Sequence, residues 1–263
     1  MKKLISTLAA LVLAAGGTGV TGALAGEAAK SIVYGDADCD GIVKMNDVVL
    51  IMQCISNPDK YSLTVPGMAN ADVQDRYGGV TPADALAIQR YLLKQGGLPD
   101  NYSDLSEEEM ESVFSLYLCR WLSYYRECKG KEPLKIIADG STYGNIRAAQ
   151  LEEDYANNAS DRSLMKEAVE AAFDGGFYDE YDLYSEIKGS PFLTETYLDS
   201  GEPEIKELDL EEIAKNSAEL IIENEKLWNM IGSDIVSGIG AGAKVSDDGR
   251  IYFVIFVAGN NPQ

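Results

Sequence analysis

Acidic side chains recur at alternate positions in a twelve-residue stretch that runs from Asp36 to Asp47. Asp38 and Asp40 stand at its third and fifth positions, so three carboxylates can converge on one cation. Gly41 at the sixth position permits the sharp turn that such a loop needs. Hard oxygen donors in this number suit Ca²⁺ better than Mg²⁺, which usually keeps several waters. The predicted calcium ligands are Asp36, Asp38, Asp40, the carbonyl of Ile42, and Asp47.

A second copy of this pattern ends at Asp84. Counted from Asp72, its loop is one residue longer, and Gly78 and Gly79 occupy the place where another carboxylate is expected. Each lost charged ligand weakens a calcium site, so we predict a second site that binds calcium less tightly. Its expected ligands are Asp72, Asp75, a carbonyl near Gly79, and Asp84.

The charge and composition of the chain exclude several classes of function. A net charge of -21 argues against binding to nucleic acid or to anionic membrane surfaces, because neutralising phosphates requires clustered Lys and Arg. The sequence contains no histidine, which excludes imidazole bases, Ser-His-Asp machinery and His-ligated zinc. Any acid–base chemistry would have to use carboxylates, Lys, Tyr or Cys.

The first residues have the features of an export signal. Lys2 and Lys3 precede an apolar run, and the small residues around Leu24 form a cleavage motif, so we predict a signal peptide over residues 1–25. This run is too short and too rich in glycine to be retained as a membrane span. Export would place the calcium loops where calcium is abundant, outside the cell.

Each predicted loop leads directly into an apolar segment with the density of a short buried helix. Two loop-and-helix units of this size, without a helix before each loop, resemble the type I dockerin family over residues 33–99. The second half is similar to the variant found in cellulosomes of ruminal or gut clostridia. The resemblance implies calcium-dependent folding and docking onto a cohesin module of a scaffoldin. We expect this domain to occupy residues 31–99.

The resemblance also implies which residues contact cohesin, at the start of each helix and seven residues further along. In the first half they are Met45, Asn46, Met52 and Gln53, and in the second half they are Pro82, Ala83, Gln89 and Arg90. The two halves differ at every one of these positions. We therefore expect one half to dominate the interface, instead of two equivalent binding modes.

The four cysteines give no single disulfide pattern. Four cysteines allow three full pairings, and nothing in the sequence selects one of them. Cys54 is expected to pack as a small buried apolar residue. Cys119 and Cys128 could bridge only if the helix between them broke.

Beyond a polar connector at residues 100–106, the pattern changes to longer helices and strands. Ser106 and Glu109 form a capping box for a helix with an apolar face. Further helices are predicted near 145–156, 160–173 and 208–228, and residues 177–187 are predicted as a solvated loop or irregular helix. A glycine-rich strand, a turn at 246–249 and the apolar run Ile251 to Val257 predict a hairpin whose second strand is covered on both faces.

Helix, glycine-rich strand and hairpin together resemble the SCP-like domain of the cysteine-rich secretory, antigen 5 and pathogenesis-related superfamily, over roughly residues 107–259. The resemblance implies an α-β-α sandwich with strands near Ile136, Ile239 and Tyr252, and hence an α+β chain overall. The family's cavity carries two His and two acidic residues, and alignment places Glu225 where the second His would stand. Without histidine, we expect no transition metal in this cavity.

Two functional hypotheses follow for residues 107–263. In the first, this region is a binding or structural domain, with a polysaccharide or cell-wall ligand, that the dockerin delivers to a cellulosome. In the second, it is a small hydrolase that uses paired carboxylates, as glycosidases do. The candidate carboxylates for the hydrolase are Glu152, Glu180 and Glu225.

Overall fold

The structure, a computed structural model, describes residues 32–98, 105–199, 202–207 and 209–260. The chain divides into two compact units, which meet in sequence between Asp104 and Leu105. The predicted signal peptide and most of the predicted connector lie outside the described residues. We describe the two units separately as the amino-terminal unit, 32–98, and the carboxy-terminal unit, 105–260.

The amino-terminal unit consists of three helices, α1 (Met45–Ser56), α2 (Val65–Ala71) and α3 (Pro82–Leu92). Helices α1 and α3 pack against each other around Ile51 and Ile88, both fully buried. Each follows one of the two predicted loops. Asp47 and Asp84, the last residues of those loops, lie in the first helical turns and accept hydrogen bonds from the backbone there.

Helix α2 was not predicted, because its seven residues carry no helical hydrophobic pattern. Thr64 caps its amino end by accepting a hydrogen bond from the backbone N of Gly67 at 3.1 Å, and a proline lies in its first turn. A side chain at Gly67 would place Cβ 2.5 Å from the carbonyl oxygen of Ala37. The expectation that no helix precedes either loop is therefore wrong for the second loop.

The carboxy-terminal unit contains a four-stranded sheet, a separate two-stranded hairpin and seven helices among its described residues. The elements are α4 (Glu107–Cys128), β1 (Lys135–Ile136), α5 (Ala138–Glu153), α6 (Tyr155–Asn158), α7 (Arg162–Ala172), α8 (Phe177–Glu180), β2 (Leu183–Gly189), β3 (Thr194–Asp199), β4 (Glu202–Glu207), α9 (Leu210–Glu223), α10 (Glu225–Ile231), β5 (Val236–Val245) and β6 (Ile251–Gly259).

The larger sheet has the strand order β1-β5-β6-β2, with β1 parallel to β5 and the other pairs antiparallel. Every residue of β6 is buried. Phe256 and its neighbours on one face pack against Tyr143 of α5, whereas Phe253 on the other face contacts Phe114 of α4, with ring centroids 5.6 Å apart. Helices thus cover both faces of β6, which confirms the predicted α+β fold and the covered strand.

Glycines set the distance between α5 and β5. A Cβ on Gly242 would lie 1.9 Å from the backbone N of Asn145, and one on Gly144 would lie 2.2 Å from the backbone N of Gly242. Side chains at these positions would separate the helix from the strand, so the glycine-rich sequence of β5 serves close backbone packing.

Two predicted elements differ from the structure. The single helix expected at 208–228 is two helices, because Asn224 adopts an extended conformation and its side chain accepts a hydrogen bond from the backbone N of Leu227. The segment expected as a loop or irregular helix at 177–187 contains the short helix α8 and most of β2. Its aromatic residues pack inward, and Phe177 is buried against Phe256.

None of the four cysteines forms a disulfide bond in the structure. Cys119 is buried in α4, and burial raises the pKa of its thiol to about 12. Cys54, expected to be buried, is only partly so. The unbroken helix α4 holds Cys119 and Cys128 apart along its axis.

Candidate metal centre and docking surface

Three carboxylates converge in the first loop. Asp36, Asp38 and Asp40 each offer an oxygen within 4.8 Å of the other two, and no other such group of acidic, Cys or His side chains occurs among the described residues. Asp36 is buried, whereas Asp38 and Asp40 are exposed. Cys39 and Gly41 adopt positive φ angles of 58° and 89°, which fold the loop back on itself. The arrangement fits a hard divalent cation.

Backbone hydrogen bonds hold two of the predicted ligands in place. Asp36 accepts from the backbone N of Asp40 at 3.1 Å and of Gly41 at 2.7 Å. Asp47 accepts from the backbone N of Asp38 at 3.1 Å and of Lys44 at 2.7 Å, so it ties the loop to the start of α1. These hydrogen bonds fix the conformation of the loop around the three carboxylates.

The second loop repeats these contacts. Asp72 accepts from the backbone N of Tyr77 at 3.0 Å, as Asp36 does from Gly41. Asp84 accepts from the backbone N of Gln74 at 2.7 Å and of Thr81 at 2.7 Å, as Asp47 does from Asp38 and Lys44. Asp75 has a positive φ of 56°, close to the 58° of Cys39. The hydrogen bonds therefore align residues 72–77 with 36–41 and residues 81–84 with 44–47, and the extra residue of the second loop lies between these two segments.

This alignment shows how far the second loop departs from the first. Gln74 stands in the place of Asp38 and Arg76 in the place of Asp40, so a neutral and a cationic side chain replace two carboxylates. The expectation that Gly78 and Gly79 take the place of a carboxylate is therefore wrong, because both follow these positions. Asp75, a predicted ligand, stands in the place of Cys39 and is exposed. The guanidinium of Arg76 lies 4.4 Å from the ring centroid of Tyr34, and its NH2 group donates to the Tyr34 hydroxyl.

The carboxylate of Asp72 is nevertheless suited to binding a cation. Its side chain is 1% exposed, and its Oδ1 has no hydrogen-bond partner. Burial, together with the charge of Asp84, raises the pKa of Asp72 to about 6, although the backbone N–H groups of Gly79 and Tyr77 and the charge of Arg76 act in the opposite direction. A cation at this oxygen would satisfy it, but with fewer acidic ligands than in the first loop.

The outward face of α1 is apolar. Met45, Val49, Met52 and Ile55 lie along it and remain 49%, 49%, 40% and 38% exposed, respectively. Met45 and Met52 were predicted to contact a partner, but Val49 and Ile55 were not. The sequence reads as a buried helix because apolar residues occupy both the inner and the outer face. A helix that buries one face needs only one apolar stripe, and α1 has more apolar residues than that stripe requires. Counting this excess could have identified Val49 and Ile55 from the sequence.

The outward face of α3 is more mixed. Leu86 is 45% exposed, and the predicted contact residues Pro82, Ala83, Gln89 and Arg90 are also exposed. On α1, Asn46 is exposed and Gln53 is half-buried. The face of α1 is thus a continuous apolar stripe, whereas that of α3 carries a polar and a charged residue about two turns from its start.

The structure places the three candidate carboxylates of the carboxy-terminal unit on three different helices, α5, α8 and α10. Glu225 is exposed at the start of α10, and Glu180 is exposed at the end of α8. Glu152 accepts a hydrogen bond from the hydroxyl of Ser246 at 2.9 Å.

A buried polar cluster in this unit was not predicted. Glu186 of β2 accepts hydrogen bonds from Tyr143 at 2.7 Å, from Arg147 at 3.1 Å and from Lys188 at 2.6 Å. Arg147 also donates to Gln150 at 2.6 Å. The carboxylate is fully occupied by protein donors, which is typical of a structural role.

Comparisons with known proteins agree with this description of the amino-terminal unit. A xylanase/beta-glucanase from Ruminococcus flavefaciens is 41% identical over 78 residues, which are 26% of this chain and 10% of the relative. The chain therefore spans about a tenth of the length of that curated relative. No protein-family profile matches the chain.

A solved structure, described as the third ScaB cohesin of R. flavefaciens in complex with a group 1 dockerin, matches with 46% identity and a TM-score of 0.26. The match covers 27% of this chain and 100% of the solved chain. Duplicated acidic loops, each followed by a helix, define the class of protein. The 46% identity over the full length of the solved chain identifies the family. The chain belongs to the dockerin family through its amino-terminal unit.

A second solved structure is a cysteine-rich secretory protein from Staphylococcus aureus, 14% identical, with a TM-score of 0.33. The match covers 71% of this chain and 53% of the solved chain. The α+β description of the carboxy-terminal unit rests on its own sheet and helices. Among the described residues, no helix has the length and apolar character needed to cross a membrane.

Proposed function

We propose that the amino-terminal unit docks onto a cohesin module in a calcium-dependent manner, and so attaches the chain to an extracellular cellulosome. One observation carries the proposal: three convergent loop carboxylates directly precede a helix whose outward face is apolar. The identity with a dockerin solved in complex with a cohesin supports it. The predicted signal peptide is consistent with this location.

The proposed cation supplies the charge that the first loop needs. Asp36, Asp38 and Asp40 repel one another when their oxygens lie this close, and bound Ca²⁺ would offset that repulsion. Asp47 and the carbonyl of Ile42 complete the proposed ligand set. In the second loop we propose weaker binding through Asp72, Asp84, Asp75 and a carbonyl near Gly79. Calcium binding would then stabilise the folded unit by mass action.

The proposed cohesin surface is centred on α1. Apolar side chains that are exposed in the free protein can become buried in the complex, and Met adapts to varied partner surfaces. We extend the predicted contact residues Met45, Asn46, Met52 and Gln53 by Val49 and Ile55 of the same stripe. On α3, we propose that Pro82, Ala83, Gln89 and Arg90 contribute at the edge, where Arg90 can pair with a carboxylate.

The proposal can be tested with the full chain and the cohesin of the R. flavefaciens complex. Binding measured by surface plasmon resonance should be strong in millimolar calcium and should disappear when a chelator is added. Asp59→Ala removes an exposed acid of the same unit and should leave binding unchanged, which makes it a matched control for substitutions in the loop. Equal binding with and without chelator would contradict the proposal.

For the carboxy-terminal unit we propose a binding or structural role as the domain that the dockerin delivers. Two observations support this role over that of a carboxylate hydrolase: protein donors occupy the carboxylate of Glu186, and Glu152 accepts a hydrogen bond from Ser246. The full chain should retain a plant polysaccharide or peptidoglycan in a pull-down assay without releasing reducing sugar. Release of reducing sugar would favour the hydrolase instead.

A further inference from the structure

Lys44 reaches from the start of α1 into the first loop. Its Nζ lies 3.1 Å from Oδ2 of Asp38 and 3.5 Å from Oδ1 of the same residue, and it also contacts Oδ2 of Asp40. The side chains of Lys44 and Asp38 are each 28% exposed, and that of Asp40 is 45% exposed. The ammonium therefore forms ion pairs with Asp38 and Asp40, the two exposed carboxylates of the loop.

Lys44 stands at the ninth position of the loop, counted from Asp36. In EF-hand loops this position usually supplies a calcium ligand, often through a water molecule. An ammonium has three donors and no lone pair, so it cannot take that role. The equivalent residue of the second loop is Thr81, whose hydroxyl donates to Asp84 at 2.8 Å. A basic side chain at this position is thus a feature of the first loop alone.

We infer that Lys44 is a built-in competitor of calcium at the first loop. Calcium needs oxygens of the Asp38 and Asp40 carboxylates at about 2.3–2.6 Å, and the ammonium contacts both of these carboxylates. The two cations cannot occupy the site together, because their charges would repel at such short range. The lysine side chain is flexible and partly exposed, so it can leave without unfolding the loop.

Two consequences follow. Without calcium, Lys44 neutralises part of the acidic loop and stabilises the folded unit. With calcium, the ammonium is released next to Met45, at the amino end of the apolar stripe of α1. Calcium binding would then add a mobile positive charge at the edge of the docking surface. The inference rests on the calcium binding proposed above and adds a residue that sets its affinity.

The first test measures calcium affinity and stability in the same variants of the full chain. Lys44→Gln should bind calcium roughly fivefold more tightly by isothermal titration calorimetry, the size expected for loss of partly exposed ion pairs. The calcium-free form of Lys44→Gln should melt at a lower temperature. Lys60→Gln removes the same charge from an exposed lysine outside the loop and should leave the calcium affinity unchanged.

The second test follows the ammonium directly. The full chain is treated with an acylating reagent in chelator or in calcium, and the modification of each lysine is measured by mass spectrometry. Lys44 should react several-fold faster in calcium, because it no longer pairs with Asp38 and Asp40, whereas Lys60 should react equally in both conditions. Equal rates for Lys44 would overturn the inference.

The outcomes separate this inference from the proposed function. If the wild type binds calcium but Lys44→Gln changes neither affinity nor stability, the inference fails and the calcium centre stands. If neither protein binds calcium, both fail. Binding by Lys44→Gln alone would support the inference, since the lysine would then block the site completely.

Discussion

Nε of Arg147 lies 3.1 Å from Oε2 of Glu186, and the two side chains are 0% and 3% exposed. The pair joins helix α5 to strand β2 within the carboxy-terminal unit. Removing one partner of a buried ion pair leaves the other charge without compensation, which is strongly destabilising. The stability of this unit should therefore depend on Glu186 far more than on any surface carboxylate.

Glu186→Gln should lower the free energy of unfolding by about 3 kcal/mol, because the buried guanidinium of Arg147 loses its counter-charge while the shape of the side chain is kept. Glu170→Gln is a matched control, since Glu170 and Lys166 form an exposed pair at 3.6 Å. That substitution should cost about 0.5 kcal/mol or less. Urea unfolding of the two variants measures both values, and equal costs would contradict a structural role for the pair.

The contribution of Glu186 should also depend on pH. Burial raises its pKa, but the hydrogen bonds from Arg147, Lys188 and Tyr143 and the charge of Lys188 outweigh burial and lower the pKa below its usual value. A carboxyl group with a lowered pKa stabilises the fold above about pH 4.3, its unfolded pKa, and this stabilisation is lost as pH falls through the folded pKa. The difference in melting temperature between wild type and Glu186→Gln should therefore shrink as pH falls from 7 to 3. A constant difference would show that ionisation of Glu186 is not the cause.

Asp36→Ala combined with Asp40→Ala should abolish calcium-linked stability of the amino-terminal unit and its binding to cohesin. In the wild type, calcium at about a hundred times its dissociation constant should add roughly 2.7 kcal/mol of stability, and chelator should remove it. The double variant should melt at the same temperature in calcium and in chelator. Calorimetry of the full chain tests this prediction. A wild-type melting temperature that does not change when chelator is added would contradict calcium-linked stability.

Substitutions on the two helices of the amino-terminal unit should not weaken cohesin binding equally. Met52→Asp or Val49→Asp places a charge in the apolar stripe of α1 and should weaken binding by about thirtyfold or more, equivalent to about 2 kcal/mol. Arg90→Glu on α3 should have a smaller effect. Surface plasmon resonance compares the variants, and equal small losses on both helices would show that single-mode binding is wrong.

Gly242→Ala should destabilise the carboxy-terminal unit by about 3 kcal/mol, because its Cβ would lie 1.9 Å from the backbone N of Asn145 and would push α5 away from β5. Gly176→Ala is the comparison variant, since the nearest atom to its Cβ would be the carbonyl oxygen of Phe173 at 3.4 Å. Denaturant unfolding should show little change for Gly176→Ala. A tolerated Gly242→Ala would mean that helix and strand can separate at low cost.

The two acidic loops could be predicted because their groups are close in sequence. Asp36, Asp38 and Asp40 alternate along one short stretch, so the turn at Gly41 is enough to bring them together. The covered strand β6 was predictable for a similar reason, since an uninterrupted apolar run must be shielded on both faces. Local sequence patterns predict such features. In the structure the three carboxylates lie close together, and the predicted fold class is confirmed.

The exposed stripe of α1 shows where local pattern fails. Ile51 and Val49 are equally apolar in the sequence, yet Ile51 is fully buried against α3 and Val49 is 49% exposed. Only the packing of α1 on α3 decides which apolar face remains outside. The second loop is a related case, because the hydrogen bonds of Asp72 and Asp84 were needed to show that Arg76 stands in the place of Asp40.

By itself, the sequence determined the duplicated acidic loops, the helices that follow them and the glycine-rich hairpin, because short-range spacing and turn chemistry dictate these features. The tertiary structure alone decided that Lys44 lies on Asp38 and Asp40, and that Arg147 meets Glu186 from a different element. The first contact depends on the conformation of a flexible side chain, and the second depends on which helix packs against which strand. The spacing of neighbouring residues in the sequence encodes neither of these arrangements.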